Sequence, residues 1–187
     1  MKVLYLHQYF NSPEMPGSTR SYEFAKKMAD LGHTVDVITS DWQKCANVKF
    51  SNIDGINVHW APISYSNKMS FYKRILAFIS FIFYSLYIGF KLDYNIVIAS
   101  STPLTIGIPA LVFKKLRKTK FIFEVRDMWP QIPIAMNFLK SKILIKISLF
   151  LEKKIYIEAD AIIALSEGMK NEIKKIILKE DKISVIT

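Results

Sequence analysis

Cysteine, histidine and glycine are scarce in this 187-residue chain: one Cys, three His and six Gly. The single Cys45 leaves no internal disulfide and no thiolate metal set, and it fits a reducing compartment. His7, His33 and His59 stand too far apart for ligand-pair spacing, so neither a metal nor a cofactor is expected. There is no Gly-x-Gly-x-x-Gly loop and no Gly-Lys-Ser phosphate loop, which disfavours a nicotinamide dehydrogenase or an NTPase. The amino terminus, MKVLYLHQYF, lacks a basic flank leading into a long apolar region with a cleavage site, so it reads as a strand and not as a signal peptide. The longest uncharged apolar run, Ile75 to Phe90, lies between Lys73-Arg74 and Lys91 and is shorter than the roughly 20 residues that a spanning helix needs. Repeats and low-complexity linkers are also missing.

Acidic residues are in deficit, 16 against 26 Lys and Arg, for a formal charge of +10. That balance points to an anionic partner: nucleic acid, an acidic membrane surface or a phosphorylated ligand. No aromatic RNA-binding motif or helix-turn-helix signature is present, so nucleic acid ranks last. The length suits one domain with one sizeable core.

Short runs rich in Val, Ile, Tyr and Phe alternate with longer helical stretches, the rhythm of a parallel sheet covered by crossover helices. Seven strands are predicted: Val3–Leu6, Val35–Thr39, Ile56–Trp60, Ile96–Ala99, Phe121–Val125, Ala161–Leu165 and Ile183–Ile186. Several are apolar throughout, as strands buried on both faces are. The fold class is α/β, a Rossmann-like doubly wound parallel sheet of about seven strands with helices on both faces. Ser18 or Thr19 can cap a helix carrying Phe24, Met28 and Leu31 on one face, with Gly32 as its stop. Thr102-Pro103 can open another helix, and Ser166 can cap a last one ending near Leu178. Cys45 to Asn52 and Pro62 to Ser70 read as loops.

Two segments could carry chemistry. After the first strand, a loop from His7 to Arg20 leads into a helix; Gly17 permits close backbone approach, the free amides around Ser18 favour an anion, and Arg20 adds charge. An ordinary strand-to-helix turn is the simpler alternative. The second is Phe121 to Pro130, which places Glu124, Arg126 and Asp127 at a strand's carboxyl end, where open α/β sheets bind ligands. Arg126 could neutralise phosphate, and Asp127 or Glu124 could accept a hydroxyl hydrogen bond or act as a base. The simpler alternative is an Arg–Asp pair closing a turn. His7, at the first strand's end, is an acceptor-side candidate, whereas His33 reads as a turn residue and His59 as structural.

The loop His7 to Arg20, the stretch Tyr22 to Thr39, the Arg126-Asp127-Met128-Trp129-Pro130 segment and Glu152 through Ala159-Asp160-Ala161 to Ser166 together resemble the N-terminal domain of family 4 glycosyltransferases of the GT-B fold. The order of these segments matches over nearly the whole chain, and the subgroup it looks most like makes bacterial capsule and O-antigen sugars. Many members carry His where Arg126 stands. The resemblance implies one acceptor-side domain over residues 1–187, a glycine loop near the donor phosphates, and donor binding chiefly by a C-terminal domain that these residues do not include. It also implies a nucleotide-diphosphate sugar donor, a polyprenyl-diphosphate-linked or saccharide acceptor, and a role in polysaccharide biosynthesis. Alone, the chain is expected to be inactive, since it would supply only one wall of a two-domain site, and a strand at its extreme end suggests that something normally follows. A noncatalytic membrane-recruiting or acceptor-binding module paired with a separate donor-binding subunit is the alternative.

Lys114-Lys115-Leu116-Arg117-Lys118-Thr119-Lys120 places five basic residues in seven. With the lysines between Lys140 and Lys154, it is a candidate for contact with an anionic membrane surface. The expected location is cytoplasmic, peripheral at the inner face of the plasma membrane. Phe71 to Phe90, apolar almost all round, fits either a buried helix or membrane contact.

Overall fold

The computed structural model describes residues 1–41, 48–66, 69–137, 139–177 and 181–187. Eight strands form one sheet in the order β3-β4-β2-β1-β5-β6-β7-β8. They are β1 Lys2–Leu6, β2 Thr34–Ser40, β3 Lys49–Ile53, β4 Ile56–Ala61, β5 Ile96–Ser100, β6 Lys120–Val125, β7 Ala161–Ala164 and β8 Ile183–Val185. Every neighbouring pair is parallel except β3 with β4. The seven predicted strands are present, and the eighth, β3, corrects the reading of residues 49–52 as loop. Cys45 to Asn47, also in that predicted loop, lie outside the described residues. β3 alternates exposed and half-buried positions as an edge strand, so it lacks the apolar run by which buried strands are recognised. It is joined to β4 by Asp54-Gly55, both at positive φ (50° and 84°), the backbone that a two-residue hairpin turn requires.

Helices cover both faces unequally. α1 (Arg20–Asp30) stands alone on one face, where Tyr22 and Ala25 join Val3, Tyr5, Val35, Val37, Ile56 and Val58. On the other, α2 (Phe71–Gly89), α3 (Gly107–Arg117), α5 (Lys142–Glu158) and α6 (Glu167–Ile177) pack on Leu4, Leu6, Val97, Phe121, Phe123 and Ile162. Alternate residues of β1 thus serve opposite cores, as the two-residue period of a strand demands. A short helix α4 (Gln131–Ala135) lies between β6 and α5.

Local signals behave as their chemistry dictates. Gly32 follows α1 at φ 82°, where a glycine avoids the steric cost of a left-handed stop. Ser166 Oγ accepts from Met169 N at 3.2 Å and caps α6; Leu178, near its expected end, lies outside the described residues. Thr19 occupies the N-cap of α1 without a side-chain cap bond. Pro103 sits one residue before a 3-10 turn, Leu104–Ile106, that runs into α3. Phe24 and Met28 pack against the α1-side core, whereas Leu31 is exposed.

Candidate functional site

The order of strands reverses at β1 and β5: the chain proceeds from β1 to β2 on one side and from β5 to β6 on the other. Loops leaving the carboxyl ends of these two neighbours therefore diverge and open a crevice between them, where ligands of open α/β sheets bind. The loop after β1, the Ser101-Thr102 segment after β5 and the Arg126-Asp127 segment after β6 meet there. The resulting cleft is about 390 Å³, lined by His7, Tyr9, Asn11, Ser18, Thr102, Arg126, Asp127 and Leu165.

Arg126 spans the cleft. Its backbone N–H donates to Ser101 Oγ (3.0 Å), its Nη1 to His7 Nε2 (3.0 Å) and its Nη2 to Ser18 Oγ (3.2 Å). Guanidinium can only donate, so His7 must accept at Nε2 and carry its proton on Nδ1. Burial, followed by the Arg126 charge, lowers the His7 pKa from 6.5 to about 4, against weaker opposition from Glu124 and the Ser100 and Tyr9 backbone. The imidazole is neutral at neutral pH. Asp127 accepts from Thr102 Oγ1. Arg126 and Asp127 therefore do not pair with each other to close a turn, and Arg126 forms no ion pair among the described residues.

Glu124 lies beneath this surface, 1% exposed. Its Oε2 accepts from Ser100 Oγ (2.6 Å) and Tyr5 Oη (3.0 Å), and its Oε1 from Arg20 Nε (3.1 Å). Arg20 also donates from Nη2 to the Ile186 carbonyl (2.9 Å). The carboxylate is thus occupied in holding Arg20 and two hydroxyls, and the Arg20 charge is neutralised from below. Gly17 sits at φ 128°, and a Cβ there would come within 2.5 Å of Asn11 Nδ2. Glycine lets the chain turn into α1 and brings Ser18 to Arg126.

The other sequence candidates lie elsewhere. His33 Nδ1 is 3.3 Å from the amino terminus, at the opposite edge of the sheet, and His59 Nε2 is 2.9 Å from Asp36 within it. The basic run belongs to that far edge too, where α3 ends and β6 begins. Lys114 bonds the Glu158 carbonyl and Asp160, while Arg117 donates to the carbonyls of Gly89 (3.0 Å) and Leu92 (2.7 Å) and stacks over Tyr94. Two of the five charges thus tie helices together. Lys118 closes α3 at φ 55°, Lys120 opens β6, and Lys115, Lys118 and Lys120 are exposed.

Sequence reasoning overlooked Ser100, Ser101, Thr102, Tyr5 and Tyr9. The Ser-Ser-Thr-Pro run ending β5 was the available signal, since small polar residues at a strand's carboxyl end leave room and hydroxyls for a ligand. Tyr9 packs on Tyr65, ring centroids 4.9 Å apart. Across this pair from the cleft lies a hollow of about 270 Å³, walled by Ile75, Phe78, Trp129, Pro133 and Leu139 with Arg74 beside them.

Comparison with known proteins identifies the fold. In solved structures, the fold matches sucrose-phosphate synthase from Thermosynechococcus elongatus over 99% of this chain and 47% of that one, with a TM-score of 0.71 and 13% identity. It matches the catalytic domain of starch synthase IV from Arabidopsis thaliana, bound to ADP and acarbose, over 99% of this chain and 50% of that one (TM-score 0.62, 12% identity). A third match is HepE from Anabaena in complex with UDP-glucose, over 100% and 43% (TM-score 0.55, 14% identity). The chain thus spans about half the length of these proteins and has the Rossmann-like fold of one half of a GT-B enzyme. Among curated proteins no match is found. The sequence profile of Glycosyltransferase Family 4 matches residues 17–187, and the chain accordingly belongs to that family as a glycosyltransferase domain of the GT-B type.

Proposed function

We propose that this domain forms the acceptor-side wall of a transferase that moves a sugar from a nucleotide-diphosphate sugar to a lipid-linked or saccharide acceptor in bacterial surface polysaccharide synthesis. The observation that carries the reading is Arg126: a guanidinium held in the switch-point cleft by a neutral imidazole and a hydroxyl, with no carboxylate ion-paired to it among the described residues. A cation kept uncompensated on rigid supports is poised for a ligand anion, here the diphosphate that departs during transfer. The amino end of α1 beside Ser18 would add the positive end of its helix dipole. Asp127, which accepts from Thr102 Oγ1, would orient a sugar or acceptor hydroxyl. Solved structures with this fold hold UDP, UDP-glucose or ADP, which supports a nucleotide-sugar partner here.

In this reading, positioning and electrostatic stabilisation of the leaving diphosphate supply the catalysis, and a second domain supplies most donor contacts. The 187-residue chain alone would leave the diphosphate in water and would not turn over. A lipid-linked acceptor would hold the enzyme at the inner face of the plasma membrane. The test is acceptor-dependent release of nucleoside diphosphate from a panel of UDP-, GDP- and dTDP-sugars by the full-length gene product. Arg126→Met is expected to lower kcat by about 10²–10³, as loss of an oxyanion-stabilising donor does. Unchanged turnover would remove the cleft from the donor's path.

A further inference from the structure

No described helix is long and apolar enough to cross a membrane, yet one face of the molecule is unusually apolar for a surface. α2 buries Ala77, Phe81, Ser85 and Ile88 against the sheet. On its opposite side Tyr72, Leu76, Ile79, Phe83 and Tyr87 are exposed, Phe83 at 66%. Their spacing of three and four residues makes one continuous stripe down the helix. α3 lies next to α2, and α5 next to α3. On α5, Ile143, Ile147, Phe150 and Ile157 are exposed, Phe150 at 68%. Between α3 and α5 runs a groove of about 680 Å³, its apolar walls rimmed by Lys115 and Lys154.

Basic residues are interleaved with this surface. Lys142, Lys146, Lys153 and Lys154 are exposed on α5, and Lys73 and Lys91 flank the α2 stripe. Exposed aromatic and branched apolar side chains set among lysines match the interface of an anionic bilayer, which takes apolar groups at acyl depth and cations at the headgroups. A second copy of the chain is a poor occupant, because it would bring the same lysines face to face in a molecule of net charge +10.

We infer that the outer face of the α2–α3–α5 layer docks flat on a membrane rich in anionic lipid, inserting the α2 and α5 stripes to the headgroup–acyl boundary. The basic run Lys114–Lys120 is not the principal contact, since Lys114 and Arg117 are engaged within the fold. The helices of this layer begin near the carboxyl ends of the strands, so docking leaves the Arg126 cleft beside the membrane plane. This surface is independent of the glycosyl-transfer reading, and either can fail without the other.

The test is flotation of the 187-residue chain with phosphatidylcholine vesicles, with and without phosphatidylglycerol. Binding is expected with the anionic lipid, weakened by salt. Phe83→Asp and Phe150→Asp are each expected to lower partitioning about tenfold, the scale for removing one buried aromatic. Thermal unfolding should be unchanged, because both side chains are exposed. Tryptophan introduced by Phe83→Trp should be quenched by brominated lipid beyond the wild-type level. The inference is overturned if the aspartate variants float like wild type. It is equally overturned if salt abolishes binding with no quenching at position 83, or if the apolar face proves to join two copies, with Phe150→Asp dissociating a dimer that does not bind vesicles.

Discussion

Glu124→Gln separates support of the cleft from chemistry within it. The carboxylate accepts three hydrogen bonds while 1% exposed. Glutamine keeps the shape but has one acceptor oxygen. If that oxygen takes Tyr5 and Ser100, the amide N–H2 faces Arg20 Nε, donor against donor; the reverse orientation sets it against the two hydroxyls. Arg20, a quarter exposed, also loses its countercharge. Breaking a largely buried, hydrogen-bonded ion pair in this way costs about 3 kcal/mol. For a domain of this size that corresponds to a fall in Tm of roughly 6–12 °C. Urea and thermal unfolding would measure it. The double variant Arg20→Met/Glu124→Gln should lose less than the sum of the single changes, since the strained donor contact and the stranded charge disappear together. A Glu124→Gln protein that unfolds within about 1 kcal/mol of wild type, yet no longer supports turnover in the full-length enzyme, would refute this reasoning and make the carboxylate a participant in the reaction.

Arg126→Met in the isolated chain should weaken pyrophosphate binding at least tenfold and lower stability by about 1–3 kcal/mol, since buried His7 Nε2 loses its donor; titration calorimetry decides, and equal affinity would place the anion elsewhere. His7 gives a signed pH effect. With its folded pKa lowered from 6.5 to about 4, the unfolded chain binds a proton in that window that the folded chain refuses. Stability is therefore lost as pH falls from 6.5 through 4, by about 3 kcal/mol. The difference in stability between wild type and His7→Asn, followed by denaturant titration, should slope through that window, and a flat difference would contradict a buried neutral His7. Gly17→Ala should cost about 1–3 kcal/mol from backbone strain at φ 128°, a loss that calorimetry would register and that a shift of the Asn11 side chain alone would not produce.

The parallel core was legible because buried strands announce themselves: Phe121 to Phe123 and Ile96 to Ala99 are apolar whichever face they serve. β3 was not, since Lys49-Phe50-Ser51-Asn52-Ile53 is an edge strand half in water. The adjoining Asp54-Gly55 was a hairpin signal that could have revealed it. Placing Gly17, Ser18 and Arg126 near one another required only the rule that ligands gather beyond strand carboxyl ends. Which groups are free and which are consumed could not be read, because it depends on partners far away in sequence. Arg117 is engaged by carbonyls 25 and 28 residues distant, and Glu124 by a hydroxyl 119 residues distant. Likewise the apolar run from Phe71 to Phe90 has no polar face to mark its exposed side, and only the packing of Phe81 and Ile88 shows which side faces out.

The position of β1 at the centre of the sheet has a consequence for biosynthesis. It is made before either neighbour, and one edge can pair with β2 as soon as residues 34–40 emerge. Its other edge waits for β5, at residues 96–100. At 5–20 residues per second the ribosome needs on the order of ten seconds to reach it. Throughout that interval an apolar strand presents open backbone groups, the template on which unwanted pairing between nascent chains begins. The His7–Arg126 contact, separated by 119 residues, cannot exist until β6 has followed. The cleft thus takes shape well after β1 and β2 have paired, and folding at this contact separation is expected to be slow relative to helical proteins of equal length.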